Sequence, residues 1–363
     1  MDTEKRKDRR PRLGYFDIAK GIGIILVIIA HIEYVDFGIR NYIVSFHMPL
    51  FFVVSGMLSC HINETARDIK TVLLKKLKRI MLPYLVFSVL YPLIDLAYFY
   101  VTGNGDPFGS LRQNISDTLV LYGNSVLWFL PTAFFGDMLF FLVMKAALSF
   151  SKKYAAYITA AVTLFVSLII YFTLGNRGEH FFIALVRFFP AAFFAATGYL
   201  MYLFIEKINI KRLFLAAAGA VLLLLLILIH NFNGTVDMHF GVYGNIGLYY
   251  INAIMGSLGV ILISMAVDRK KGDNRTVPVS PLSFLEFFGR NSLFIMITHI
   301  NFYILYCAEV LSFKITEYIP RAKNIIFNFS TVFFVLAAEF VLIKIYEICK
   351  MIIQSKISDG KDQ

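Results

Sequence analysis

Charge is scarce in this chain. Only 16% of its 363 residues are Asp, Glu, Lys or Arg, against 58% hydrophobic, and the mean hydropathy is +0.69. A water-soluble fold of this length has too little interior to hide that much apolar surface, so a soluble globular domain is excluded. Cysteine is scarce too. Cys60, Cys307 and Cys349 stand far apart without metal-ligand spacing, two of them at expected cytoplasmic helix ends. That removes a disulfide framework and a zinc site, and no metal ligands are expected. Internal repeats, low-complexity stretches and long polar insertions are missing, and no appended soluble catalytic domain is expected. The chemistry must therefore lie among the apolar segments.

What is present is a series of apolar runs of about 20 residues, the length that spans a bilayer as a helix. They fall near 15–35, 41–60, 80–101, 124–147, 154–174, 181–205, 212–230, 246–267, 284–306 and 323–348. The expected fold class is all-α: one polytopic membrane domain, residues 1–363, with about ten transmembrane helices and tails at 1–14 and 351–363. The first run is too long for a signal peptide, lacks a convincing small-x-small cleavage site and contains His31, so it is expected to be retained.

The net charge is +11, and the basic residues sit in short loops beside the apolar runs. This is a topology signal and not a nucleic-acid footprint. Lys5, Arg6, Lys7, Arg9, Arg10 and Arg12 precede the first run; Arg67, Lys70, Lys75, Lys76, Lys78 and Arg79 precede the third. Lys152 and Lys153, then Lys207, Lys211 and Arg212, then Arg269, Lys270, Lys271 and Arg275 follow at alternate loops. By the positive-inside rule both termini are expected in the cytoplasm. Loops 102–123, 175–180 and 231–245 carry Asn, Gly, Asp and His instead, with Arg112, Arg177 and Arg321 as exceptions.

The first run holds Asp17, Lys20 and His31. At about 100° and 1.5 Å per residue, Lys20 and His31 lie within roughly 20° of each other and about 16 Å apart, with Asp17 about 60° from Lys20. Such a stripe is costly in lipid and is expected to face a wet or protein-lined interior. The blander readings are a histidine bonded to its own helix backbone and an i,i+3 ion pair at the interface, with Lys20 snorkelling. His47 lies in the first turns of the second run, near the outer face. His299 shares a face with Ser292 and Met296. Asp137, Arg187 and Glu339 also fall within runs, where buried charges usually pair. Trp128 is either a headgroup-level belt residue or a stacking platform for a sugar.

Five segments in order resemble the acyltransferase 3 family of membrane O-acyltransferases. They are Phe16-Asp-Ile-Ala-Lys-Gly-Ile-Gly-Ile with His31; Phe46-His-Met-Pro-Leu-Phe-Phe with Ser55-Gly56; Lys75-Lys-Leu-Lys-Arg79 leading to Leu82-Pro-Tyr84; Leu127-Trp-Phe-Leu130; and Phe288-Gly-Arg-Asn-Ser-Leu293 with His299. Each segment alone is weak, but the ordered set covers nearly the whole chain. The wording is most similar to the fucose O-acetylase-like sugar acetyltransferases. Where the family often has an arginine ahead of the first-helix histidine, this chain has Lys20, which keeps the charge and loses the bidentate fork. The family's Arg-x-x-Arg appears as Lys76-x-x-Arg79.

The resemblance implies a multi-pass protein of the cytoplasmic membrane that moves acetyl from acetyl-CoA to a hydroxyl of a cell-surface or lipid-linked saccharide. No permanently bound cofactor is implied. Acyl transfer to a hydroxyl needs a base and a group that stabilises the oxyanion. His31 is the expected base, with His47, His299 and Asp17 as further catalytic candidates. Lys20, Lys76 and Arg79 are expected to hold the donor, and Arg187, Trp128 and Asp137 to meet the acceptor. Lipids are the expected surroundings, and the oligomeric state is open. The rival class is a transporter or flippase of a glycan intermediate or small solute, which also needs polar groups at mid-membrane depth. A membrane anchor or sensor is a third.

Overall fold

The computed structural model describes residues 11–103, 105–205, 207, 210–268, 281–317 and 323–359. The basic residues at 5–10 and 269–275, Arg321 and the last four residues of the expected C-terminal tail lie outside them. Among the described residues nine helices are long and apolar enough to cross a membrane, or ten if one bent pair counts as a span. The protein is an all-helical integral membrane protein, as the apolar runs require.

Helix α1 (Gly14–His31) is followed by the short α2 (Phe37–Val44) and by α3 (His47–His61), which together make the second span. Helix α4 (Ile69–Lys76) passes through a π turn at Leu77–Met81 into α5 (Leu82–Thr102), and α6 (Pro107–Leu119) follows. Next come α7 (Phe129–Phe150), α8 (Ala155–Leu174), α9 (His180–Ile205), α10 (Arg212–Ile229) and α11 (Ile246–Val267). Helices α1, α3, α7 and α9 form the interior, while α8 and α10 present apolar side chains outward, where lipid covers them. The interior helices approach closely because small residues sit at their crossings. A methyl on Gly56 would overlap the Ala195 carbonyl, one on Gly198 the Val53 carbonyl, and one on Gly21 the Leu285 carbonyl.

The ninth apolar run departs from expectation. Instead of one helix over 284–306, the chain forms α12 (Pro281–Arg290), α13 (Ser292–Asn301) and α14 (Ile304–Thr316), with α13 and α14 bent by 67°. Two local causes are visible. The Asn291 side-chain amide donates back to the Phe287 carbonyl at 2.9 Å, competing with the helix ladder, and Tyr303 adopts a left-handed conformation (φ 56°). Gly289 packs on the Asp17 backbone and His299 on the His31 ring, so α12 and α13 run in line beside α1 from one end to the other. Helix α15 (Lys323–Asp359) then returns, touching Tyr34 through Phe327, Thr298 through Glu339 and Phe287 through Phe340. The N- and C-terminal ends of the described chain thus lie at the same end of the bundle. The last helix also continues through most of the expected 351–363 tail.

Candidate active site

Two cavities sit one above the other along the same elements. The basic cavity, about 160 Å³, is lined by Lys20 of α1, Phe51, Phe52 and Ser55 of α3, and Leu293 of α13. Glu64, Lys75, Lys76 and Arg79 line its mouth, with Phe129 and Asp137 of α7. The histidine cavity, about 360 Å³, is lined by Val27 and His31 of α1, His47 and Met48 of α3, Trp128, and Met296 of α13. Arg40 of α2 and the loop residues Asp237 and His239 complete it. Between them Phe129 packs against Phe51 and Phe52 at ring separations of 5.8 and 5.4 Å, forming an apolar septum.

In the basic cavity most charges are satisfied inside the protein. The Lys76 ammonium lies 2.9 Å from Asp137 and 3.2 Å from Glu64, and the Ser55 hydroxyl lies within 2.9 Å of both Asp137 oxygens. Lys20 pairs with Asp17 at 2.9 Å, and Asp17 also receives two hydrogen bonds from Arg12. Arg79, exposed on the π turn, lines this cavity without an ion pair among the described residues. The turn's extra residue per loop shifts Arg79 off the α-helical register, and such turns often mark functional sites.

Two expectations change here. Asp137 belongs to this network and not to the wall around Trp128, because Lys76 holds it. Asp17, a catalytic candidate on the sequence, does not line the histidine cavity. It is bound between Arg12 and Lys20, fourteen residues or about 21 Å down the helix axis from His31.

The histidine cavity is built differently. His31 ends α1 and is exposed where it lines the cavity. Its Nδ1 lies 2.8 Å from the Val27 carbonyl. A carbonyl only accepts, so Nδ1 carries the proton and the Nε2 lone pair is free. The same i−4 bond fixes His47 on Ile43 at 3.0 Å and His299 on Ile295 at 2.8 Å. The His299 ring meets His31 nearly edge-on at 5.2 Å, and its buried Nε2 has no partner among the described residues. His299 therefore stands behind His31, while His47 lines the cavity beside it.

The wall facing His31 comes from outside the spans. Asp237 and Val242 exchange backbone hydrogen bonds of 2.8 and 2.9 Å and close a hairpin. Asp237 Oδ1 accepts the His239 N–H at 2.9 Å and the Phe240 N–H at 3.4 Å. Burial pushes the Asp237 carboxyl above the usual range, against the opposing pull of those N–H groups, His31 and Arg187. His239 stacks on Trp128 at 5.8 Å. Burial first, and the Arg187 charge second, push its imidazole down to about 3, so it is neutral near pH 7.

Arg187 is completely buried and lies behind this wall, not in it. It donates to the His239 carbonyl at 3.1 Å and the Tyr122 carbonyl at 2.9 Å, and its guanidinium lies 4.9 Å from the Tyr122 ring and 5.4 Å from the Trp128 ring. The expectation that Arg187 touches an acceptor gives way to a bracing position, because both of its terminal nitrogens donate to loop carbonyls and it does not line the cavity. Trp128 is 8% exposed, packed between His239 and Arg187, and reaches the cavity only by its rim.

Sequence reasoning passed over Asp237, His239 and Arg40 in this cavity, and Glu64 and Ser55 in the other. Loop 231–245 is distinguished in sequence by its shortage of basic residues, and its Asp-x-His at 237–239 is the one local signal of these groups. Compared with known families, residues 13–344 match the model of the acyltransferase 3 family, described as an acyltransferase domain. No curated protein and no solved structure matches the chain.

Proposed function

The chain belongs to the acyltransferase 3 family, and from that premise we propose that it transfers acetyl from acetyl-CoA to a saccharide hydroxyl, with His31 as the base. The observation that carries the reading is His31 itself. It ends a membrane-length helix, opens into a polar cavity, and has its tautomer set by Val27 so that Nε2 is free to take a proton. In the reaction the acceptor oxygen forms a bond to the acetyl carbon as His31 takes the hydroxyl proton. The C–S bond then breaks, and the imidazolium returns the proton to the thiolate, releasing CoA.

The donor enters at the basic cavity. Arg79 has charge to spare for its phosphates, whereas Lys75 lies 3.7 Å from Glu64 and Lys76 is engaged by Glu64 and Asp137. The thin arm of the donor then follows α1 past the Phe51–Phe129 septum, about 16 Å from the level of Lys20 to that of His31. The positive-inside rule puts the basic end in the cytoplasm and the histidine cavity towards the outside of the cell membrane. Acetyl-CoA need not cross the bilayer in this arrangement.

The test is purified protein in lipid nanodiscs with radiolabelled acetyl-CoA and methyl hexopyranosides. Wild-type protein transfers label, and His31→Ala, folded and inserted, loses transfer. Full transfer by that variant refutes the base assignment. A protein that moves solute across proteoliposomes without consuming acetyl-CoA is the transporter instead.

A further inference from the structure

The 237–242 hairpin lies between α10 and α11, yet it turns back into the bundle and is held there from several sides. Met238 is buried and its sulfur lies 3.5 Å from the Tyr249 hydroxyl. His239 stacks on Trp128, and Arg187 reaches from α9 to hold the His239 carbonyl. This fixation places the Asp237 carboxylate at the wall of the cavity that His31 enters. Its Oδ1 is committed to the turn through His239 N–H and Phe240 N–H, while Oδ2 has no hydrogen bond or ion pair among the described residues.

A partly buried carboxylate with an idle oxygen is costly unless a donor arrives, and an ionised carboxylate only accepts. The donor has to come with the acceptor substrate. A simple alcohol brings one hydroxyl, and His31 needs that one. A second, neighbouring hydroxyl would reach Asp237.

We propose that Asp237 is the acceptor-recognition residue of the histidine cavity, receiving a hydrogen bond from a hydroxyl next to the one being acetylated, and that Arg187 positions it by holding the hairpin. This rests on the reading of His31 above, and it narrows the acceptor to polyhydroxylated molecules such as pyranosides. Elevation of the Asp237 carboxyl by burial agrees with it, because an arriving hydroxyl would stabilise the charged form.

Asp237→Asn separates recognition from folding. Asparagine keeps the side-chain oxygen that accepts the two turn N–H groups, and replaces the charged, idle Oδ2 acceptor with a neutral NH2 that only donates. In nanodiscs with radiolabelled acetyl-CoA, the probes are methyl hexopyranosides and the single-hydroxyl cyclohexylmethanol. Asp237→Asn raises the pyranoside KM by about tenfold to a hundredfold, the worth of a hydrogen bond to a charged group, while the acetyl-CoA KM stays. The preference for pyranosides over cyclohexylmethanol shrinks by the same factor. Arg187→Lys, which cannot hold both loops, shifts the pyranoside KM in the same direction. An unchanged pyranoside KM in Asp237→Asn, or both KM values rising together, overturns the proposal. The parent reading fails by a different sign, full transfer by His31→Ala.

Discussion

The two cavities share α1, α3 and α13 but treat polar groups in opposite ways. In the basic cavity Lys76, Glu64, Asp137 and Ser55 satisfy one another, and Lys20 is tied to Asp17 and Arg12. In the histidine cavity His31 keeps a free Nε2, Asp237 keeps a free Oδ2, and His299 keeps a buried unpartnered Nε2 behind them. Paired charges inside a bundle hold elements together, and removing one partner leaves the others stranded. Groups left open in a cavity are kept for something that is not part of the chain. The difference sorts the polar residues of the two cavities into those that brace the protein and those available for chemistry, with Arg79 and Ser59, whose buried Oγ has no partner among the described residues, as exceptions in the basic half.

Four experiments can break that contrast. The largest effect is expected for His31→Ala, which should lower acetyl transfer by about a hundredfold to ten-thousandfold, the usual worth of a general base. Its thermal unfolding should stay near that of the wild type, because the ring bonds only to its own helix.

Lys76→Met should behave in the reverse manner. It leaves Glu64 with only the longer Lys75 contact and Asp137 with only the Ser55 hydroxyl, and should cost up to about 3–5 kcal/mol of stability in thermal unfolding of detergent-purified protein. Adding Glu64→Gln and Asp137→Asn should recover part of that loss. If the single variant is as stable as wild type, the network does not brace the basic end.

Arg79→Gln should raise the KM for acetyl-CoA about tenfold with little change in stability, as expected for one lost charged contact at a site without an internal partner. An unchanged acetyl-CoA KM would remove Arg79 from donor binding.

The smallest effect is with pH. The carboxylate form of Asp237 is the one that accepts, and burial raises the pH at which it protonates. The acceptor KM should therefore rise as pH falls through that raised value and be flat above it. The step should vanish in Asp237→Asn. His239 contributes no step near neutrality, since it is held down to about 3 and is already uncharged. A step that survives in Asp237→Asn belongs to another group.

Much of the architecture was legible in the chain. Runs 154–174 and 246–267 fall within a residue or two of the helices Ala155–Leu174 and Ile246–Val267, because an apolar stretch of membrane length is a local property, while the first run, 15–35, overshoots the end of α1 by four residues. The break in the ninth run was not read, although Gly289-Arg-Asn291 marked it. Its cause is partly tertiary, since Gly289 packs on the Asp17 backbone. The histidines could be singled out because a polar ring in an apolar run stands out without any neighbour being known. Asp137 and Arg187 stood out equally, yet their surroundings could not be read. Asp137 met Lys76 and Arg187 met His239, residues 61 and 52 positions away.

The sequence by itself determined that this protein lives in a membrane, roughly how many times it crosses, which end is basic, and which histidines stand where lipid would penalise them. Those are sums over neighbouring residues, and hydropathy and helical period act along the chain. The tertiary structure alone decided that the polar residues divide between a basic cavity and a histidine cavity, that Lys76 is engaged while Arg79 has no ion pair among the described residues, and that Asp237 faces the cavity of His31. Pairing depends on separations of a few ångströms between side chains far apart in sequence, and only the packed bundle brings them together.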